Sequence, residues 1–143
     1  MRIFGIFAAV ALLFVTPVAA EEELREWLFT FQVVKNRVEL HQEAFGRALK
    51  EHENGKISQE VRENLTHSNT RLASALVESA DSIKFYRNKY QKDAADCLSQ
   101  KKDSCQKEIG DEILFQDWSA KASTILEKNA LALLMSQDLM SNQ

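Results

Sequence analysis

Proline is absent from nearly the whole chain, and this absence limits the folds open to it. Pro17 is the only proline, so residues 18–143 contain none, and three glycines lie in that stretch, Gly46, Gly55 and Gly110. Proline and glycine are the residues that most disfavour a helix interior, so a chain nearly free of them favours a few long helices. The spacing of the apolar residues then indicates where those helices lie.

The first predicted helix runs from Glu21 to Glu53. Its apolar positions recur at steps of three and four, as in a helix with one face in a bundle; they are Leu24, Leu28, Phe31, Val34, Val38, Phe45 and Ala48. His41 interrupts this stripe, and we interpret it as a boundary residue whose hydrogen bonds are satisfied rather than a metal ligand. Asn54-Gly55 predicts the helix end, because glycine readily adopts the left-handed conformation found there.

The second predicted helix begins after Ser58, a residue type that caps helix N-termini, and it extends to Asp96. Its inward stripe consists of Val61, Leu65, Ser68, Leu72, Ala75, Ser79, Ile83, Tyr86 and Tyr90. The small residues in this stripe indicate either the close approach of another helix or space for a small apolar ligand.

A third predicted helix follows the polar stretch Leu98 to Ser104, and Asp103 with Gln106 resembles a capping box at its start. Its inward candidates are Ile109, Ile113, Trp118, Ala122, Ile125, Ala132 and Leu139. Short connections force neighbouring helices to be antiparallel, so the fold class is all-α, an elongated antiparallel three-helix bundle. A break in the third helix would instead make four helices.

The N-terminal segment 1–20 has the features of a cleavable signal peptide. Arg2 precedes an apolar run from Ile3 to Val15, and the small residues Val18 and Ala20 precede the expected cleavage point. The alternative is an uncleaved anchor, but the run is shorter than the roughly 20 residues that span a bilayer. Residues 21–143 are therefore expected to form one helical domain without stable membrane insertion, located in the periplasm or outside the cell.

Two cysteines, Cys97 and Cys105, allow one intramolecular pairing. Export would place them in an oxidising compartment, where an even number of cysteines favours a disulfide. We therefore predict a disulfide across the corner between the second and third helices. A redox pair or metal ligation is the alternative, but the two residues do not form a Cys-x-x-Cys motif and no histidine flanks them.

Motifs for catalysis or cofactor binding are not evident. The chain has no glycine-rich phosphate loop, no Gly-x-Ser-x-Gly motif and no Cys-x-x-Cys-His haem attachment site. Glu63 and His67 share a helix face, and His52 would lie near their level on the preceding helix, which makes these three weak candidates for a metal site. We expect no enzymatic activity and no cofactor.

The C-terminal stretch from Ile125 to Met140 has more apolar residues than one narrow helix face can hold. Such a helix is either central or covered by something else, and a three-helix bundle has no central helix. The alternative is that these side chains widen the ordinary core. Candidate partner-binding residues on this helix are Leu131, Leu134, Met135 and Leu139.

The region joining the second and third helices is basic, although the net charge of the whole chain is −3. We call its cationic residues the basic tip; they are Lys84, Arg87, Lys89, Lys92, Lys101, Lys102 and Lys107. In one interpretation, the glutamates at 21–23 and 26 neutralise the positive charge of the basic tip. In the other, an anionic partner binds there at Tyr86, Arg87, Lys89 and Tyr90. The acidic balance of the chain argues against a nucleic-acid partner.

These features together predict an exported, non-enzymatic protein-interaction module with an accessory or immunity-like role. Its partner would be another protein or a second copy of this chain. A carrier of a small apolar ligand in the bundle core is the alternative function, and a helical metal-binding protein is the third.

Overall fold

The computed structural model describes residues 25–142 of the chain, and all regular structure in this range is helical. Helix α1 spans Glu26–Glu53, helix α2 spans Gln59–Ser99 and helix α3 spans Gln106–Ser141. The predicted three-helix bundle is confirmed, and because α3 is continuous the four-helix alternative is wrong. The predicted signal peptide at 1–20 and the acidic segment at 21–24 lie outside the described residues.

Side-chain contacts between the helices give the topology. Trp27 near the start of α1 contacts Tyr90 near the end of α2, whereas His41 farther along α1 contacts Asn69 farther back on α2. Residue numbers thus rise on α1 as they fall on α2, so these helices are antiparallel. Ser136 of α3 also contacts Asn69, and Trp118 of α3 packs on Trp27. Helix α3 therefore runs parallel to α1, as the up-down-up prediction requires.

The turn between α1 and α2 follows the sequence signals at Asn54-Gly55 and Ser58. Gly55 has a φ of +112°, a conformation that side chains with a Cβ rarely adopt. The Ser58 hydroxyl accepts a hydrogen bond from the Val61 amide at 3.4 Å and so caps α2. The Glu51 carboxylate accepts hydrogen bonds from the Ser58 amide and hydroxyl, and the amide bond is the main reason that the pKa of Glu51 is lowered.

The core is arranged in layers along the bundle. The end that contains the α2–α3 corner holds an aromatic layer, the middle is aliphatic, and the end that contains the α1–α2 turn has a third layer. The aromatic layer includes Trp27, Phe31, Phe115 and Trp118. The aliphatic middle layer includes Val34, Val38, Leu72 and Leu133. The layer at the α1–α2 turn includes Phe45, Ile57, Val61 and Leu65. Most of the sequence-derived stripe on α1 and α2 therefore faces inward.

Bulky rings fill the space between α1 and α3. The Trp27 and Trp118 ring centres lie 4.3 Å apart, and Phe31 packs edge-on against Trp118 at 5.6 Å. Large side chains hold helices apart, so the backbones of α1 and α3 approach each other at few points. Both helices instead pack closely along α2. Ala75 and Ser79 of α2 are buried and Ser68 is half-buried, as a helix with close neighbours requires.

The disulfide prediction is confirmed at the corner between α2 and α3. Cys97 and Cys105 are bonded, with their Cα atoms 5.9 Å apart. Helix α2 extends three residues past the predicted end at Asp96, to Ser99. The expected capping box at Asp103 is wrong, because Cys105 is the N-cap residue of α3 and no side chain caps it.

The inward face of α3 was predicted incorrectly at its N-terminal end. Ile109 and Ile113 are exposed, at 37% and 61% of their surface, whereas Phe115 is buried. The aromatic layer explains this, because the rings of Phe115 and Trp118 contact Trp27 and fix the rotation of α3 about its axis. Within residues 25–142, none of the helices combines the length and apolar content needed to span a bilayer.

Candidate partner-binding surfaces

Helix α3 presents apolar side chains to solvent on the face opposite the core. Leu131, Leu134 and Met135 are 58%, 61% and 51% exposed, and we call these three residues the apolar patch. Their spacing of three and four residues places them together on one helix face. Charged side chains are exposed one helical turn before and after the patch; they are Glu127, Lys128 and Asp138. The patch therefore has an apolar centre and a charged rim.

Inward positions of the same helix segment are already occupied. Leu133 and Ser136 are buried, and Asn129 is buried with its side-chain amide donating to the Ile125 carbonyl oxygen at 2.8 Å. Leu139, which the sequence grouped with the patch, is half-buried and packs on the layer at the α1–α2 end. Three of the four predicted partner-binding residues on α3 thus form one exposed surface, and the fourth contributes to packing.

The aromatic residues of the predicted basic surface mostly face the core. Tyr90 accepts a hydrogen bond from the Trp27 indole at 3.2 Å, and the Tyr86 and Tyr90 rings both pack against Phe115. Arg87 and Lys89 are exposed, with the Lys89 ammonium 5.8 Å from the Tyr90 ring centre. The two tyrosines therefore have a structural role at this end of the bundle, whereas the two cations are accessible.

Part of the charge in the basic tip is paired locally. Lys92 lies 3.1 Å from Asp96, and Lys107 lies 3.5 Å from Asp111. Asp111 also binds Arg25, at 3.1 Å, which ties the start of α1 to α3. The glutamates at 21–23 that were expected to neutralise this end lie outside the described residues.

The weak metal candidates do not converge. His52, Glu63 and His67 are all exposed, and Glu63 accepts a hydrogen bond from the Gln59 side chain at 2.9 Å. Among residues 25–142 no group of three or more histidine, cysteine, aspartate or glutamate side chains is placed to hold a metal ion.

His41 lies in the core and joins all three helices, an arrangement that the sequence indicated only in part. Its Nε2 atom is 2.8 Å from the Asn69 side-chain oxygen and 3.1 Å from the Ser136 hydroxyl. The Ser136 hydroxyl is also 2.7 Å from the same oxygen of Asn69. Burial lowers the pKa of His41, and the hydrogen bond to Asn69 opposes this shift. The sequence-based interpretation did not recognise that Asn69 and Ser136 also face inward, and these two residues are the partners of His41.

A groove runs along the outside of the bundle between α1 and α2, with a volume of about 230 Å³. We call it the arginine groove; its basic and apolar lining consists of Arg37, Arg47, Arg71, Leu40, Ala44 and Val61. Glu43, Asn64, His67 and Ser68 complete the lining. Sequence reasoning missed this groove, because its residues come from separate parts of two helices and meet only once the helix register is known.

Comparison with known proteins gives no match: no family model, no curated protein and no solved structure is similar to this chain.

Proposed function

We propose that this protein is an exported, non-enzymatic interaction module that binds another protein through the apolar patch on α3. The observation that carries the proposal is the exposure of Leu131, Leu134 and Met135 on the face opposite a filled core. Fully burying an exposed side chain of this size contributes about 1.5–3 kcal/mol, and these three are already about half covered, so a partner gains roughly half of that per residue. An apolar surface with a polar rim is typical of protein-binding sites.

Charge around the patch does not by itself choose between a different protein and a second copy. In an antiparallel pairing of two α3 helices centred on the patch, Asp138 of one copy would lie near both Glu127 and Lys128 of the other. A parallel pairing would place Glu127 beside Glu127. A different protein with an apolar helix face and basic flanking residues would complement the patch together with Glu127 and Asp138. We therefore infer an accessory or immunity-like role, in which this chain binds such a protein after export.

The disulfide supports export to an oxidising compartment, because disulfides are rare in a reducing cytosol. Intact-mass measurement of the natural protein tests this part directly. We expect a chain that starts at Glu21 with both cysteines oxidised. A chain that retains residues 1–20, or one with two free thiols, would contradict it.

Site-specific photocrosslinking in host cells tests the surface. We expect a photoreactive amino acid at position 131 to give a discrete crosslinked product, and Leu134→Asp in the same chain to remove it. The matched control is the same amino acid at position 33, because Val33 is 48% exposed but lies on α1. Equal products from positions 131 and 33, or a product unaffected by Leu134→Asp, would refute the proposal.

Light scattering of the purified protein distinguishes the two kinds of partner. A monomer that keeps its helicity is the expected result. A dimer that Leu134→Asp converts to a monomer would show that the patch is self-complementary, against the proposed binding of a different protein. The control Val33→Asp should leave the mass unchanged in either case.

A further inference from the structure

The arginine groove has a local excess of positive charge on a protein that is acidic as a whole. The net charge of the chain is −3, yet the groove holds three arginines against one glutamate, Glu43. Across residues 25–142, the direct ion pairs involve other residues, although Arg47 is near enough to Glu51 to help lower the pKa of that carboxyl. Isolated surface arginines are common, but three that converge on one groove produce a local positive potential.

The helix register places the arginines at the two ends of the groove. His41 and Asn69 lie at one level of the antiparallel pair. Measured along the helix axes from that level, Arg37 lies about 6 Å and Arg71 about 3 Å toward the α2–α3 corner. Arg47 lies about 9 Å toward the α1–α2 turn. Two of the arginines are therefore near one end of the groove by backbone level, and the third is about 15 Å from Arg37 along the helix axis.

Apolar and hydrogen-bonding groups lie between these charges. Leu40, Ala44 and Val61 line the groove, and Leu40 is 50% exposed. The polar side chains of Asn64 and Ser68 also line the groove, although the Ser68 hydroxyl itself is buried away from solvent. An occupant with mainly apolar side chains and a few polar groups matches this lining.

We propose that the arginine groove binds an acidic, amphipathic helical segment of a partner protein. A helix that lies in the groove can place apolar side chains on Leu40 and Ala44 while its carboxylates reach both ends. Guanidinium groups bind carboxylates with two parallel hydrogen bonds, which gives such a site its specificity. This site is on the opposite flank of α1 from α3, so the proposal does not depend on the function proposed for the apolar patch.

A lipid or a free phosphate fits the groove less well. One anionic headgroup bound near Arg37 and Arg71 leaves Arg47, whose backbone is about 15 Å along the axis from Arg37, without a partner, whereas carboxylates spaced along a peptide can match all three. The groove is also open along its outer side, so an acyl chain in it would keep much of its surface in water. A peptide helix exposes its own polar face there at no such cost.

Fluorescence anisotropy tests the proposal with a labelled helical peptide of about 15 residues, which has leucines on one face and flanking glutamates. We expect binding that weakens with added salt, and binding at least about tenfold weaker to Arg37→Glu/Arg71→Glu. Arg62→Glu is the matched control, because Arg62 is on α2 but outside the groove. It should bind the peptide as the unmodified protein does.

Further probes distinguish an acidic peptide from a lipid or a phosphate as the occupant of the arginine groove. The same peptide with lysine in place of glutamate should not bind the groove, so any binding it shows should be the same in Arg37→Glu/Arg71→Glu. Leu40→Asp should weaken binding of the acidic peptide without altering helicity. Failure of the acidic peptide to bind, or equal binding by Arg37→Glu/Arg71→Glu, would overturn the proposal. Groove-dependent binding of phosphatidylglycerol vesicles or inorganic phosphate without peptide binding would overturn it in favour of those ligands.

Discussion

The Nε2 atom of His41 on α1 lies 2.8 Å from the side-chain oxygen of Asn69 on α2. Ser136 of α3 completes the contact, so one polar group from each helix meets in a layer between aliphatic layers of the core. An amide oxygen can only accept hydrogen bonds, so Nε2 carries the proton in this contact. Because burial lowers the pKa of His41 below 6.5, the ring is neutral at pH 7. A buried polar layer of this kind favours one register of the helices over others, since a slip would leave its members unpaired.

Acidification should destabilise the protein through His41. Burial lowers the pKa of this side chain below its ordinary value of 6.5, so below that pH the unfolded chain binds a proton that the folded protein does not. The free energy of unfolding should therefore fall as the pH is lowered through and below 6.5. Urea denaturation followed by circular dichroism between pH 7.5 and pH 5 measures this dependence.

Histidine variants identify the source of that pH dependence. His41→Gln should lower the stability at neutral pH but reduce its loss on acidification. His67→Gln removes an exposed histidine and leaves the contribution of His41 in place. An unchanged pH dependence in His41→Gln would show that other groups control acid stability.

Ser136→Ala should destabilise the protein by about 1–2 kcal/mol. The variant removes a fully buried hydroxyl whose single proton is shared between the Asn69 side-chain oxygen and the Leu133 carbonyl oxygen. Ser141→Ala is the control, because Ser141 is exposed and bonds only its own helix at the Gln137 carbonyl oxygen. Chemical denaturation of both variants measures the difference, and equal stabilities would mean that the polar layer contributes little.

Loss of the disulfide should cost about 2–3 kcal/mol. The Cys97–Cys105 bond closes a short loop, so it removes less entropy from the unfolded chain than a long loop would. Cys97→Ser/Cys105→Ser should unfold at a lower temperature but remain helical, because the aromatic layer nearby does not require the bond. Thermal melts with and without reductant check this, and reductant should not affect the variant.

Tyr90→Phe should destabilise the bundle by about 1 kcal/mol, because the buried Trp27 indole loses its acceptor. Gln91→Ala is the control at the adjacent exposed position. Equilibrium unfolding in urea provides the comparison. Unchanged stability of Tyr90→Phe would indicate that water replaces the hydroxyl.

Two isoleucines on α3 test its rotation in the bundle. Ile125→Ala should cost about 2–4 kcal/mol because Ile125 is buried in the aromatic layer. Ile113→Ala should change the stability by less than about 0.5 kcal/mol, since Ile113 is 61% exposed. Comparable losses in the two variants would contradict the orientation of α3 described above.

The local features of the fold could be predicted from the sequence. The end of α1 at Glu53, the glycine at position 55, the Ser58 cap and the disulfide were all predicted correctly. Each depends on residues close together in the chain, where backbone conformation and capping dominate. The inward stripes of α1 and α2 were also predictable, because each has one apolar face.

Helix α3 was harder to predict because it is apolar on two opposite faces, so periodicity alone does not choose between Ile113 and Phe115 for the core. The choice depends on the Trp27 and Phe31 rings of α1, which are distant in sequence.

The amino-acid sequence by itself determined the helices, the turns between them and the pairing of the two cysteines, because short-range backbone preferences and cysteine chemistry control those features. Tertiary structure decided which face of α3 is exposed, which partners satisfy His41, and that Arg37 and Arg71 line the same groove. The physical reason is register: which residues of different helices meet depends on how their side chains fill the shared core.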